Sequence, residues 1–349
     1  MSDSIVPSID KITPKAKQRQ QIHVSALNMA ADCGQRFLFR YILGIKSPPN
    51  AFLLVGKSTD ESVTQDLDHK IETGELLKRD DVLAISAAKF EQEQKNEPIE
   101  LDPDEKKEGK SLDQVLGEAK DKAISLSGLH HDEAALKIQA VRTRRKFSVD
   151  MDAFLRSRAK ELHASAEATP DKYAAKILHA QARSLNAAAR SGVDFVGEQD
   201  VQEIVHEGDK ELLVIRDTKT SAKSPIPSYM DGNNKAGTAD DSNQLTAYAT
   251  ACHVLDGKLP DKMILDYLVR TNAAKPTLKY VPTATTRSMD DVQVFLNRFT
   301  NLIHAMKTGV FVPANQSWWG CESKWCGYYQ ICSYVRHPVL VQIGTGIAK

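Results

Sequence analysis

Asp200, Asp217 and Lys219 lie in the stretch Val193 to Ser221, "VDFVGEQDVQEIVHEGDKELLVIRDTKTS". Runs rich in Val, Ile and Leu flank Gly208-Asp209, a pair suited to a two-residue hairpin turn with glycine in its first central position. With the turn there, Glu207 pairs with Lys210 and Asp200 falls directly opposite Asp217. Two carboxylates facing each other across a ladder sit roughly 4.5–5.5 Å apart and repel. A divalent cation between them would turn that repulsion into attraction. Side chains alternate along a strand, so Asp217 and Lys219 share one face while Thr218 turns away. In the same register Lys219 faces Glu198. One face then offers two metal-ligating carboxylates with an ammonium beside them. A solvated polar hairpin would show the same short Asp-x-Lys segment, and this window alone leaves both readings open.

The elements that would position these groups can be taken in chain order. Residues 1–22 are polar and read as a mobile tail. Ser25 suits the N-cap of a helix running to about Tyr41, with Leu27, Ala30, Ala31, Phe37, Leu38 and Tyr41 apolar and Arg36 and Arg40 one turn apart. A second helix after Pro48-Pro49 contains Gly56 and Asp60. Residues 91–125 are rich in Glu, Gln, Lys and Asp and read as an insertion, with 97–110 an exposed loop. Helical patterns return at 132–145 and 152–190, broken at Thr169-Pro170. Val141 to Lys146, "VRTRRK", is the densest basic cluster; its Arg144 and Arg145 would contact phosphate, or else form a solvated face. After the hairpin, residues 221–243 form a loop of over twenty residues placed to act as a flap on DNA. The helix "NQLTAYATACHVL" puts Gln244 and Tyr248 on one face, with Leu245, Ala249, Cys252 and Leu255 toward the core and Cys252 a structural thiol. "KMILDYLVR" reads as a strand, and Met289 to Met306 as an amphipathic helix.

The order Gly197-x-x-Asp200, a hairpin, Asp217-Thr218-Lys219-Thr220, then Gln244-x-x-x-Tyr248 resembles the PD-(D/E)XK nuclease superfamily. Within it, the chain looks like the RecB/AddB-like exonuclease branch, which has CRISPR-associated and phage-encoded members. The resemblance is scattered over Ser25 to Cys332, with long unmatched stretches between. It implies a restriction-endonuclease-like α/β core, a central mixed sheet flanked by helices, with a helical insertion. The nuclease domain would span 23–335, the insertion 91–190 and a C-terminal tail 336–349. The resemblance further implies that Asp200 and Asp217 hold Mg²⁺ or Mn²⁺, with the Thr218 carbonyl a further ligand. Lys219 would orient the attacking water and stabilise charge on the phosphate, and Gln244 and Tyr248 would position water or DNA. The family often shows Gly-x-x-x-His where this chain has Gly56 and Asp60. An Asp60 oxygen suits Mg²⁺ at least as well as imidazole would; an exposed helix aspartate is the other reading.

Cysteines supply a second pattern. Cys321, Cys326 and Cys332 leave four and then five residues between them, unlike zinc modules with two close Cys-x₂₋₄-Cys pairs. Cys33 stands near the other end of the chain in "ADCGQRFLFRYILGI", which resembles the Cys-x-x-x-Phe/Tyr helix near the start of RecB/AddB-like domains. One early and three late cysteines are similar to the iron–sulfur version of that branch, which commonly spaces the last three as Cys-x₂-Cys-x₅-Cys. Here Ser323 stands three before Cys326, and the loop must bulge to bring in Cys321. Four thiolates suit a structural [4Fe–4S] cluster that joins the chain ends; zinc and plain reduced thiols are the alternatives.

The whole chain bounds these readings. Its 349 residues, 41% of them apolar, suffice for a real core in one large domain or two. A net charge of zero argues against a dedicated nucleic-acid coat and permits only local basic surfaces. No run approaches the ~18 apolar residues of a membrane span, and no secretion signal follows Met1, so a cytoplasmic protein is expected, in the host cytoplasm if phage-encoded. The resemblance implies a metal-dependent deoxyribonuclease, an exonuclease acting on single-stranded or duplex DNA ends and leaving 5′-phosphates. Any ATP-driven unwinding would fall to a helicase or recombination partner, since no Walker A motif occurs. The competing readings are a catalytically inactive nuclease-like module that binds DNA ends or a recombination partner, and a zinc-stapled interaction protein.

Overall fold

The computed structural model describes residues 19–96, 98–226, 238–272, 275–323 and 325–335. The chain runs β1 (Gln20–His23), α1 (Val24–Asp32), α2 (Gly34–Phe37) continuing into a π turn, α3 (Ala51–Thr73), α4 (Arg79–Asn96), α5 (Pro103–Lys107) and α6 (Leu112–Leu129). A second π turn, His130–Ala135, leads to β2 (Ala140–Asp150), α7 (Met151–Ala168) and α8 (Lys172–Ala188). Then come β3 (Val193–Glu207), β4 (Lys210–Ser221), α9 (Asn243–Asp256), β5 (Lys262–Arg270), β6 (Leu278–Thr285) and α10 (Met289–Thr308). The expected tail at 1–18 and 336–349, and the tip of the flap at 227–237, lie outside the described residues.

The strands form one mixed sheet in the order β1-β3-β4-β5-β6, with β2 also paired to β3. Helices α1, α7, α8, α9 and α10 pack one face through Leu27, Leu155, Leu185, Leu245 and Phe299. On the other face α3 and α6 bury Leu54, Val55 and Leu126 against Leu268 of β5. This is the α/β arrangement of a mixed sheet flanked by helices that the sequence leads one to expect.

Strand β3 is the hub. On one edge β2 runs antiparallel along Asp194–Glu203. The other edge is shared by two strands in succession: β1, parallel, along Val193–Val196, and β4, antiparallel, along Val201–Glu207. Gly197 to Asp200 therefore face a fork between β1 and β4. The close approach at the fork explains Gly197: a Cβ there would sit 2.5 Å from the Phe147 ring and 3.1 Å from Val24 Cγ2.

Several local expectations are corrected. Gln20 to Ile22, assigned to the tail, belong to strand β1, held by Ile22 in the core. Ser25 caps nothing: the helix begins at Val24 behind His23, and the Ser25 hydroxyl meets Tyr41 Oη at 3.2 Å. The expected single helix to Tyr41 breaks at Cys33, whose backbone is extended. The break lets Gly34 N–H donate to Val312 O at 2.8 Å, so close that a Cβ would lie 2.6 Å from that oxygen. The helical pattern at 132–145 gives way to β2 from Ala140, because Phe147 and Val149 belong in the core beside Phe195. Strand β2 thus brings part of the 91–190 segment into the sheet, and the expected loop at 97–110 carries the short helix α5. Leu255 is exposed at the end of α9, not in the core.

Candidate active site

The hairpin turns at Gly208-Asp209. Gly208 has φ +61° and Asp209 does not have positive φ, the pattern of a II′ turn. Glu207 pairs with Lys210, and the same register runs to Val201 opposite Arg216. One step further would put Asp200 opposite Asp217, yet the ladder stops short of that pair. Past Arg216 strand β4 continues against β5, and on the β3 side the Asp200 carboxylate takes the place of a strand partner: Thr218 N–H donates to Asp200 Oδ2 at 3.2 Å. Lys219 does not face Glu198, which pairs with Lys146 of β2. The fork opens a wedge between two strands at the point where the carboxylates converge.

Asp217 is fully buried, and its Oδ2 is held by an ion pair. The Lys219 Nζ lies 2.5 Å from that oxygen and donates to Gln244 Oε1 at 2.9 Å. Gln244 Nε2 in turn donates to Asp217 Oδ1 at 2.9 Å and to Tyr248 Oη at 2.6 Å. A lysine can only donate, so Gln244 must present its oxygen to Lys219 and its NH₂ to the other two. The phenol hydrogen of Tyr248 is thereby left to point elsewhere. Burial first, and then Asp217, push the Asp200 carboxyl well above the usual carboxylate range, against the pull of Lys219. Burial would lower the Lys219 ammonium, but Asp217 and Asp200 outweigh it and hold it above its ordinary value. Tyr248 is driven up by burial and the same carboxylates, and stays a phenol.

Asp60 joins this group from α3. Gly56 lies one turn before it, and a Cβ there would make only an ordinary 3.9 Å contact with the Thr220 hydroxyl of β4. Burial raises the Asp60 carboxyl, Arg144 draws it back, and Asp217 pushes it up again, so the two carboxylates feel each other. Arg144 Nη2 donates to Asp60 Oδ2 at 3.0 Å and to Glu61 Oε2 at 3.1 Å. Arg145 is clamped by Asp256, both oxygens at 2.5 Å. Arg36 lies away from this fork, beside the cysteines, and Arg40 in the π turn that follows α2. The four arginines therefore do not form one surface. Gln199 went unnoticed in the sequence. It is buried, and its Nε2 donates to Tyr248 O and Cys252 Sγ, both at 3.2 Å, fixing α9 over the fork. Its position beside Asp200 was the only available signal.

Among the described residues no group of three or more His, Cys, Asp or Glu side chains forms a metal-holding cluster. Lys219 lies on Asp217 and Arg144 on Asp60, each a protein cation beside a carboxylate oxygen. The donor set nonetheless fits a divalent cation. Asp217 is a fully buried carboxyl whose Oδ2 is paired with Lys219, and Asp200 is a second carboxylate that burial makes costly to ionise alone.

Cys33, Cys321, Cys326 and Cys332 line one small cavity with Arg36 and Trp318. None is in a disulfide, and Cys33 Sγ accepts the Ala314 N–H at 3.3 Å. Burial and then the thiols of Cys326, Cys33 and Cys332 raise Cys321. Ser323 is exposed and does not line the cavity. The chain ends meet here through Gln35 Nε2 donating to Phe311 O at 2.6 Å and Tyr328 Oη donating to Ile45 O at 3.0 Å. Cys252 stands apart, buried in α9.

The sequence profile of the PD-(D/E)XK nuclease superfamily matches residues 21–333. A solved structure from Eubacterium rectale, named "Putative exonuclease", is similar over 99% of each chain at 11% identity with a TM-score of 0.45. No curated protein matches. No helix among the described residues is long and apolar enough to cross a membrane. Together with the fork that gathers Asp200, Asp217 and Lys219, the profile match over nearly the whole chain establishes that this protein belongs to the PD-(D/E)XK nuclease superfamily.

Proposed function

We propose that this chain is a divalent-cation-dependent deoxyribonuclease of the RecB/AddB-like branch, acting as an exonuclease on DNA ends. The observation that carries the reading is the fully buried Asp217 carboxylate, with Asp200 across the fork and Lys219 beside it. Asp200, Asp217 and Asp60 would hold Mg²⁺ or Mn²⁺, with the Thr218 carbonyl as a further ligand. Bound there, the cation supplies Lewis-acid polarisation of the scissile phosphate and acidifies water. The side chains do the rest. Lys219, kept charged by its two carboxylates, orients the attacking water and meets the negative charge that grows on the phosphoryl oxygens. Gln244 holds Lys219 and Asp217 in place, and Tyr248 offers its phenol hydrogen to water or phosphate. Neither Gln244 nor Tyr248 titrates near neutrality, so their part is positioning rather than proton transfer.

In this reading the four clustered cysteines hold a [4Fe–4S] group that staples α1 and α2 to the C-terminal segment. Cys321, half-buried and lining the cavity, is favoured over exposed Ser323 as its ligand. The function is tested on end-labelled DNA, single-stranded and duplex, with and without Mg²⁺. Release of nucleotides from the ends is expected, abolished by EDTA and reduced by orders of magnitude in Asp217→Asn. Full activity of that variant, or activity in excess EDTA, refutes the mechanism.

A further inference from the structure

Arg144 occupies an unusual place in the sheet. Strands β2 and β3 keep one register on either side of it: Thr143 pairs with Val201, and Arg145 with Gln199. Arg144 is thus level with Asp200, but the two do not pair. Instead Arg144 has φ +44°, the one positive value at a non-glycine residue among those described. A side chain in that region is strained, and such strain persists only where its surroundings impose it. Here both strands swap faces. Phe195 of β3 packs against Phe299 of α10, whereas Val201 clusters with Val63 and Leu67 of α3. On β2, Arg145 reaches Asp256 of α9, whereas Thr143 bonds Asp68 of α3. The twist delivers the Arg144 guanidinium to the mouth of the fork. There one nitrogen bridges Asp60 and Glu61, with Glu198 3.9 Å from Nε.

Resting on the cation reading above, we propose that Arg144 and the divalent cation compete for Asp60. Without a cation the guanidinium neutralises Asp60, and Asp60 becomes a metal ligand only when Arg144 lets go. Glu61 makes the exchange possible without loss of the side chain. It is fixed by Gln65 Nε2 at 2.7 Å and keeps a hold on Arg144 when Asp60 is released. Arg144 would then set the cation concentration at which the site fills, independently of any DNA.

The test is Mn²⁺ binding at pH 8 without nucleic acid, read from the loss of the free-ion EPR signal. Arg144→Gln should bind Mn²⁺ roughly three- to tenfold more tightly than wild type, the scale of a partly exposed ion pair. Arg144→Gly should do the same and fold at least as well, because glycine takes φ +44° without strain. On an Asp60→Asn background the Arg144→Gln gain should shrink below about twofold. Equal Mn²⁺ affinity in wild type and both Arg144 variants overturns the competition. A full gain that persists with Asp60→Asn overturns the role of Asp60 and leaves only general charge repulsion. Absence of Mn²⁺ binding in wild type as well as variants overturns the cation reading itself, and this inference with it.

Discussion

Asp200→Asn should make the metal-free protein more stable and the metal-loaded protein less so. The Asp200 carboxylate is opposed by Asp217, and its carboxyl is raised first by burial and then by that neighbour. Two carboxylates sharing one buried site, at a separation on the order of 5 Å, repel by about 3 kcal/mol at an effective dielectric of about 20. Lys219 offsets an amount of the same order, which leaves the burial of the carboxylate, on the order of 1–2 kcal/mol. The amide removes this cost while its oxygen still accepts the Thr218 N–H. For a chain of this length the gain corresponds to a rise of about 1–3 °C in Tm. The sign with pH follows. A carboxyl raised in the folded state favours folding while protonated, and that contribution is lost as pH rises from the ordinary aspartate range through the raised value. In EDTA the variant's advantage should therefore be present at pH 8 and vanish near pH 3. With a cation at 100 times its Kd, wild type gains about 2.7 kcal/mol, and the order of the two proteins should reverse. The assay is thermal unfolding of both proteins in EDTA and in Mg²⁺ across that pH range. A variant less stable in EDTA at pH 8, or no reversal in Mg²⁺, would refute the argument.

Asp60→Ala should raise the Mg²⁺ needed for half-maximal activity, and Asp60→His should restore activity with a shift toward Mn²⁺; an unchanged cation titration in Asp60→Ala removes that residue from the site. Protein purified without oxygen should be brown, with broad absorption near 400 nm and roughly four irons per chain. Cys33→Ser and Cys321→Ser should lose that iron, while Cys252→Ser and Ser323→Ala keep it; stoichiometric zinc in colourless protein would sink the cluster and leave a metal staple. His130 is buried with neither ring nitrogen bonded, and burial followed by Arg216 lowers it to about 3. Its folded state refuses a proton that the unfolded chain accepts, so stability should fall as pH drops from about 6.5 toward 3, and His130→Leu should flatten that limb of a denaturant-midpoint profile; an unaltered limb assigns the acid loss to other groups.

Much of the site was legible in the chain because its signals are local. A Gly-Asp pair between Val/Ile-rich runs sets a turn, the turn sets the register, and the register alone puts Asp200 level with Asp217. An i, i+4 spacing suffices to place Gln244 and Tyr248 on one side of α9. What periodicity could not show is where a regular element stops being regular. That the ladder ends at Val201 and Arg216, opening the fork, depends on β1 claiming the same edge of β3 from a segment that reads as polar tail. That Arg144 turns left-handed and drops onto Asp60 depends on two faces of the sheet being packed by different helices, which a basic run such as "VRTRRK" does not encode in its own pattern. The set of buried Glu203 and Asp266 with part-buried Arg216 and Tyr280 is of the same kind: four polar side chains from four strands, bonded at 2.6–3.1 Å, whose mutual satisfaction exists only in three dimensions. Local backbone preferences and spacing act over a few residues and can be read along the chain. Which charges end up desolvated, and which partner relieves them, is settled only when distant segments are brought into contact.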